Sequence, residues 1–373
     1  IGGYGGASGS VTDIFNPVAA LNLFDVTSDT YQALINTYVE ATFLKDFKYK
    51  LNVGATVSEF KRDNYTPRYE VGGFFKNLDN DLVHTDEFNL YTQVENTLNY
   101  TKSFGKHYVN ALAGYTVYNN GFKSVVSSVS GIPDDIYVLA GAVQPAVTGY
   151  NLENNLVSYL GRAIYSYDSK YTLSATIRRD GSSRFSPDNK WGNFPSVSAA
   201  WGIGKETFFT NLKTPITDLK LRASYGVLGN QEIGDYQYLG LITSGISYGV
   251  GEPNTLWSGN IQTNSPGVGL KWESTETADF GLDLDLWNGK VQYTFDYFNK
   301  QTSDLLLRVP IPLSVGSSEN PYTNAGNVTN KGYEISFGAD IVKNKDFVWK
   351  TILNLSSNRS VIDKLNAAQI SPD

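Results

Sequence analysis

Few residues in this chain have the types and spacing that could do chemistry. There is no cysteine, so disulfides, thiolate nucleophiles and cysteine metal sites are excluded. The two histidines, His84 in a long loop and His107 just after a turn, stand far apart with no ligand spacing around them. Gly202-Ile-Gly-Lys-Glu-Thr207 is similar to a P-loop. However, Ala199 stands where the first glycine must be, and no apolar helix follows. Asp279, Asp283, Asp285 and Asp296 suggest the paired carboxylates of glycoside hydrolysis. They also occupy the polar phase of alternating segments, and the reading adopted is a wet wall. No catalytic, cofactor-binding or metal-ligating residue is expected, and the chain is not read as an enzyme.

The elements that carry these residues alternate with period 2. Val157, Tyr159, Gly161, Ala163, Tyr165 and Tyr167 share one face, and Ser158, Arg162 and Ser166 the other. After Asp168-Ser169 the chain returns with Tyr171, Leu173, Ala175 and Ile177 opposite Thr172, Ser174, Thr176 and Arg178. Phe280, Leu282 and Leu284 alternate with Asp279, Asp283 and Asp285 before Asn288-Gly289, the strongest short hairpin signal. The pattern predicts 12 strands, at 33–44, 47–59, 86–102, 107–119, 155–168, 170–181, 194–205, 217–229, 270–287, 290–304, 329–343 and 346–358. Most are far longer than the globular mode of about 5–6 residues, and long enough for a tilted membrane strand of about 9–11.

Short links at 45–46, 103–106, 168–169, 206–216, 288–289 and 344–345 alternate with long ones at 60–85, 120–154, 182–193, 230–269 and 305–328. Outer-membrane barrels have short periplasmic turns and long extracellular loops. Aromatics beside the short turns, such as Phe43, Phe47, Tyr165, Tyr171 and Trp349, mark an interfacial girdle. The predicted fold is all-β, a transmembrane antiparallel β-barrel. A soluble β-solenoid or stacked sandwich also alternates, but with shorter strands.

Composition agrees. Aromatics make up 13% and charged residues 18%, while mean hydropathy is −0.27, which fits strands with one greasy and one wet face. No run of about 20 apolar residues suggests a membrane helix. A net charge of −7 and a pI near 5.0, with no Lys/Arg stripe, argue against nucleic acid. The chain lacks Met and opens on Ile1 without a signal pattern, so it is expected to be a piece of a longer, processed protein.

Five segments then carry a family resemblance. Arg178-Arg-Asp-Gly-Ser-Ser-Arg-Phe-Ser-Pro-Asp-Asn-Lys-Trp-Gly-Asn-Phe-Pro-Ser196 closely resembles a signature of the SusC/RagA family. So do Leu219-Lys-Leu-Arg-Ala-Ser-Tyr-Gly-Val-Leu-Gly-Asn-Gln231 and Trp272-Glu-Ser-Thr-Glu-Thr277. The remaining two are Asp296-Tyr-Phe-Asn-Lys-Gln-Thr-Ser-Asp-Leu-Leu306 and Gly326-Asn-Val-Thr-Asn-Lys-Gly-Tyr-Glu334. Asn16-Pro-Val-Ala-Ala-Leu21 looks like the family's loop before a mid-barrel strand. The match is strong over 155–358 and looser over 15–154.

The resemblance implies a TonB-dependent transporter in the outer membrane of a Gram-negative bacterium. Its relatives have a 22-stranded barrel, an N-terminal plug and a SusD-like surface lipoprotein, and they import oligosaccharides or peptides. The plug, the TonB box and the other strands are not in this chain, whose 12 strands would leave an edge unpaired in lipid. The expected layout is an extracellular loop over 1–32, barrel strands with long loops over 33–358, and the start of the next loop over 359–373.

The expected partners are a SusD-like lipoprotein, the inner-membrane TonB complex through the missing plug region, and lipid and lipopolysaccharide. A structural scaffold in a larger outer-membrane assembly is the alternative, and a secreted glycan hydrolase lacks a convincing acid/base pair. Lumen-facing residues are expected to be Arg162, Arg178, Arg222, Asp279, Asp283, Asp296 and Glu334, with Tyr165, Leu173, Ala223, Leu282 and Phe337 on lipid. Arg179 falls in the lipid phase at the loop end of its strand, where it can snorkel to headgroup phosphates. The loop aromatics Tyr65, Tyr69, Phe74, Tyr236, Tyr248, Trp257 and Tyr322 are the candidate substrate- or partner-facing residues. Loop packing is their bland explanation.

Overall fold

The computed structural model describes residues 15–71, 75–134, 136–140, 145–212, 214–249, 256–262, 264–267, 269–312, 314 and 320–365. Helix α1 (Pro17–Leu23) is capped by Asn16, whose side chain accepts from the N–H groups of Val18 and Ala19. The strands that follow are β1 (Asp25–Phe43), β2 (Phe47–Thr66), β3 (Tyr69–Val71), β4 (Phe75–Asn77), β5 (Asp81–Phe104) and β6 (His107–Ser130). Next come β7 (Ala146–Tyr167), β8 (Tyr171–Ser182), β9 (Trp191–Gly202), β10 (Ile216–Asn230), β11 (Ile242–Gly249) and β12 (Leu256–Gln262). The last are β13 (Glu273–Leu286), β14 (Val291–Ser303), β15 (Leu306–Arg308), β16 (Tyr322–Asn324), β17 (Asn327–Lys343) and β18 (Val348–Lys364).

One 12-stranded sheet has the order β1-β2-β5-β6-β7-β8-β9-β10-β13-β14-β17-β18. Each long strand therefore pairs with the next long strand in sequence, as the hairpin reading expects. The pairs β3-β4, β11-β12 and β15-β16 form separate hairpins inside long connections.

Several bounds differ from those the sequence suggests. β1 begins at Asp25 and β18 runs to Lys364, so 1–32 and 359–373 are not loop throughout. β2, β5, β6 and β7 run into the expected loops 60–85 and 120–154, which shrink to 67–80 and 131–145. The physical reason is visible in Glu59–Thr66 and Asn119–Ser130, where polar residues occupy both faces. The hydrophobic pattern fades there while the backbone ladder continues. At about 3.3 Å per residue, the 24 residues of β5 or β6 reach well past any bilayer.

The short/long rule also fails once. β9 ends at Gly202 and β10 begins at Ile216, a longer link than the one between Ser182 and Trp191 at the other end. It stays compact because Ile203–Lys205 forms a 3-10 turn and α2 (Thr207–Thr210) tucks Phe209 inside.

Two tight turns set the phase. Asp168 and Ser169 adopt φ of 52° and 54°, and Trp287, Asn288 and Gly289 adopt 50°, 57° and 79°. Such left-handed turns match the twist of the flanking strands. Leu286 pairs with Val291, so the second turn spans 287–290 rather than Asn288-Gly289 alone. The antiparallel ladders from β7 to β14 bring both turns to the same edge of the sheet.

Two compact units are present: 1–37 with 52–94 and 118–154, and 38–51 with 95–117 and 155–373. The first has a small core of Tyr65, Leu82, Val129 and Ile132. Beside it the buried Asn80 accepts from the Arg68 backbone N–H and donates to the Ile132 carbonyl and to Asp134.

In the second unit the sheet has two chemically distinct faces. Tyr165, Leu173, Ala199, Ala223 and Phe280 follow one another across five strands. On the opposite face run Arg162, Thr176, Ser196, Gly226, Thr277 and Lys300.

The apolar face carries two belts of rings. At the short-turn edge Phe43 stacks on Phe47, Phe47 meets Tyr100, and His107 sits among Phe104, Tyr165 and Tyr167. Tyr171 stacks on Trp201 there. Tyr115, Tyr159 and Trp191 form the second belt, 8 to 10 residues further along β7 and β9 (from Tyr167 to Tyr159, from Trp201 to Trp191). With a strand tilt of about 35–45° that spacing is roughly 20–25 Å, the height of an outer-membrane apolar band.

Below the first belt, Glu206 accepts hydrogen bonds from the Tyr171 hydroxyl, Lys170 and the Trp201 indole. These bonds hold its carboxyl at about 2, against an ordinary 4.5. A carboxylate depressed in the folded state stabilises the fold above its unfolded pKa, and that contribution is lost as pH falls toward 2. Acid unfolding of the Glu206→Gln variant should therefore lose part of its pH dependence between about 4.5 and 2, as read by tryptophan fluorescence. Leu173→Arg on the apolar face should cost about 2–4 kcal/mol, and Thr172→Arg on the opposite face much less. Denaturant titration in bilayers measures both.

Candidate functional site

The second unit is most tightly built at the long-loop end of β8 to β13. Phe185, Phe194, Ile233, Leu270 and Trp272 form one buried cluster, with Phe185 only 1% exposed. The Trp272 ring lies 5.2 Å from that of Phe185 and 5.3 Å from that of Phe194, and its indole N–H donates to the Lys190 carbonyl at 3.0 Å. Phe194 belongs to the polar phase of β9, opposite Arg178. It fits there because Gly192 and Gly229 leave room; a Cβ on Gly229 would stand 2.1 Å from the ring.

Charged pairs brace the same cluster. The Arg184 Nε donates to Asp235 at 2.9 Å and its guanidinium reaches the Gln231 carbonyl. Arg178 clasps both oxygens of Asp180 and touches Ser158. Segments 178–196, 219–231 and 272–277, quoted above for their resemblance, thus meet in one lip. Phe185, Trp272 and the Arg184–Asp235 pair were not singled out from the sequence. Phe194, an aromatic in the polar phase beside a glycine, was the available signal.

Along the polar face, Arg222, Gly281, Asp296 and Glu334 lie in one register row across β10, β13, β14 and β17. Arg222 grips Asp283 with two bonds of 2.9 and 3.0 Å. Its guanidinium passes over Gly281, where a Cβ would meet it at 2.5 Å, and reaches Asp296 at 2.9 Å. Asp283 and Asp296 thus share one guanidinium, with the Lys220 ammonium 3.8 Å from Asp283, rather than standing as an acid and a base. Asp279 shares this face, as do Arg162 and Arg178. The seven residues expected in the lumen therefore share one face of the sheet.

The histidines have structural partners. His84 bonds Asp63 at 2.6 Å and His107 bonds the Tyr165 hydroxyl at 2.8 Å. No group of three or more potential metal ligands occurs among the described residues.

The loop aromatics divide. Tyr65 is buried and its ring meets that of Tyr137 at 4.5 Å. Tyr69 packs edge-on against Phe15 and Phe24. Tyr322 packs on the Trp272 cluster under Arg308. Tyr236 holds a turn at φ 60°. Tyr248 and Trp257 face each other across the β11-β12 hairpin and are 51% and 56% exposed. Phe74 lies outside the described residues.

Residues 2–368 match the family described as TonB dependent receptor-like, beta-barrel. The chain belongs to the TonB-dependent receptor β-barrel family. TonB-dependent receptor P3 of Formosa agariphila is 35% identical over 359 residues, covering 95% of this chain and 35% of the relative. TonB-dependent receptor SusC of Bacteroides thetaiotaomicron is 31% identical over 361 residues, covering 94% and 35%. The RagAB peptide transporter shares the fold with a TM-score of 0.83 at 24% identity, over 93% of this chain and 38% of that one. The chain is thus a receptor barrel of the SusC/RagA type, and it spans about a third of the length of these curated relatives. Proteins of this family are outer-membrane transporters, not enzymes.

Trp272→Ala should remove both the ring contacts and the bond to Lys190, at a cost of about 3–5 kcal/mol. Hydrogen exchange should rise in 183–190 and 231–272 while the short-turn edge stays protected.

Proposed function

We propose that the whole protein imports a bulky nutrient, an oligosaccharide or a peptide, across the outer membrane. This strand array forms part of the transporter wall, with the polar face toward a lumen and the long connections outside the cell. The observation that carries the reading is the pair of faces. One is charged and laced with ion pairs, as suits a water-filled wall. The other is apolar between two aromatic belts, as lipid requires. β1 and β18 each have one ladder partner in the sheet, and further strands of the barrel cover them. A plug outside this chain takes energy from the inner-membrane TonB complex.

A SusD-like lipoprotein docks over the long connections. Tyr248 and Trp257, the exposed pair of the β11-β12 hairpin, are its first contact candidates, since aromatics enrich interface cores. The contact should bury at least about 2,000 Å², the range of permanent complexes. SusC and the RagAB peptide transporter support this reading by likeness.

The decisive experiment purifies the intact transporter from native membranes in mild detergent and measures solute uptake with and without TonB. A stoichiometric lipoprotein and TonB-dependent uptake are expected. Purification alone would refute the docking. A stable complex with no uptake would replace import by scaffolding.

A further inference from the structure

One cation on the apolar face has no anionic partner. Arg179 shares its side of β8 with Leu173, Ala175 and Ile177. Its guanidinium lies over the Trp191 ring at 5.1 Å, and no ion pair is formed by it among the described residues. It therefore stands in the second aromatic belt, beside Tyr159. At the depth of an interfacial belt an arginine is tolerated because its head reaches headgroup phosphates.

Toward the short-turn edge the same face sinks into an open cavity of about 660 Å³, lined by Val109, Ala163, Leu173, Ala199, Ala223 and Tyr225 among others. Small side chains sit there side by side, Ala163 against Ala175 and Ala199 against Ala223, between the larger Tyr165 and Tyr225. From Ala175 to Arg179 is four residues, about 13 Å along the strand. A planar guanidinium steadied by an indole presents two parallel donors to a phosphate, and the trough accepts a hydrocarbon chain.

We propose that this wall holds one phosphorylated glycolipid of the outer leaflet, its phosphate on Arg179 and an acyl chain in the trough. The proposal rests on the reading above only for orientation, with the long connections outside the cell. Charge and shape together select the occupant. A neutral lipid would leave Arg179 unpaired, and a second protein would have to supply both an anion and a ridge.

The test uses the full-length transporter, folded in detergent and stripped of native lipid, with bisphosphorylated lipid A as probe and native mass spectrometry as readout. One retained lipid A per barrel is expected, bound on the order of tenfold more weakly after Arg179→Gln, partly restored by Arg179→Lys, and lost after Ala199→Phe. Heat-modified mobility on gels shows that each variant is folded. Equal binding by Arg179→Gln, or by dephosphorylated lipid A, overturns the proposal. Equal binding of phosphatidylglycerol overturns the assigned lipid, and barrels pairing through this face overturn the assigned occupant. Protease cleavage of 231–272 on intact cells checks orientation separately, so failure of the transport reading and failure of lipid binding give different results.

Discussion

The structure depends on one constraint: inside hydrocarbon every backbone N–H and C=O must find its partner within the protein. A ladder of sequence-adjacent antiparallel strands meets that demand at every step. It does so without reference to side chains, which leaves both faces free to specialise. The tight turns at Asp168 and Asn288 serve the ladder by matching its twist. The same constraint explains why the strands can outrun the apolar band. The ladder of β6 continues through Asn119–Ser130, where both faces are polar, and Asn80 and its neighbours close the connection.

Specialisation of the faces follows from register. A slip of one residue would exchange Leu282 for Asp283 and Ala223 for Arg222. Leu221 pairs with Leu282, and Lys220 with Asp283, so cross-strand chemistry and facing demand the same alignment. Glycines add a further layer on the wet side. Gly281 lets Arg222 span three strands, and Gly192 with Gly229 lets Phe194 lie flat. Rings and guanidinium groups laid over bare backbone give the polar face local rigidity without an apolar core.

The strands, their order and which residues share a face are legible because period 2 is a strong signal wherever one face is greasy. It falls silent in Glu59–Thr66 and Asn119–Ser130, where both faces are polar, so the alternation ends before the strands do. The compact 203–215 link was hidden for a related reason. Phe209 is buried by a local fold that no alternation announces. The Trp272 cluster was present in the quoted motifs, but composition does not say that three segments far apart in sequence converge. Tyr65, Tyr69 and Tyr322 pack on neighbouring aromatic residues, while Tyr248 and Trp257 stay exposed. Sequence gives the residue type but not which rings find each other.

The ion pairs of the wet face are weak as sources of stability. In a hydrated wall each contributes about 0–1 kcal/mol, far less than the Trp272 cluster or the ladder itself. Their effect is electrostatic. Asp283 and Asp296 left bare would present a negative field to any solute passing them. Arg222, bridging both, offsets part of that field at short range, and Lys220 beside Asp283 offsets more. Arg178 on Asp180 repeats the device nearer the lip. A face built this way is polar without being uniformly anionic. The long connections at the lip end carry the exposed Tyr248 and Trp257, where the strands stop and the ladder no longer dictates the sequence.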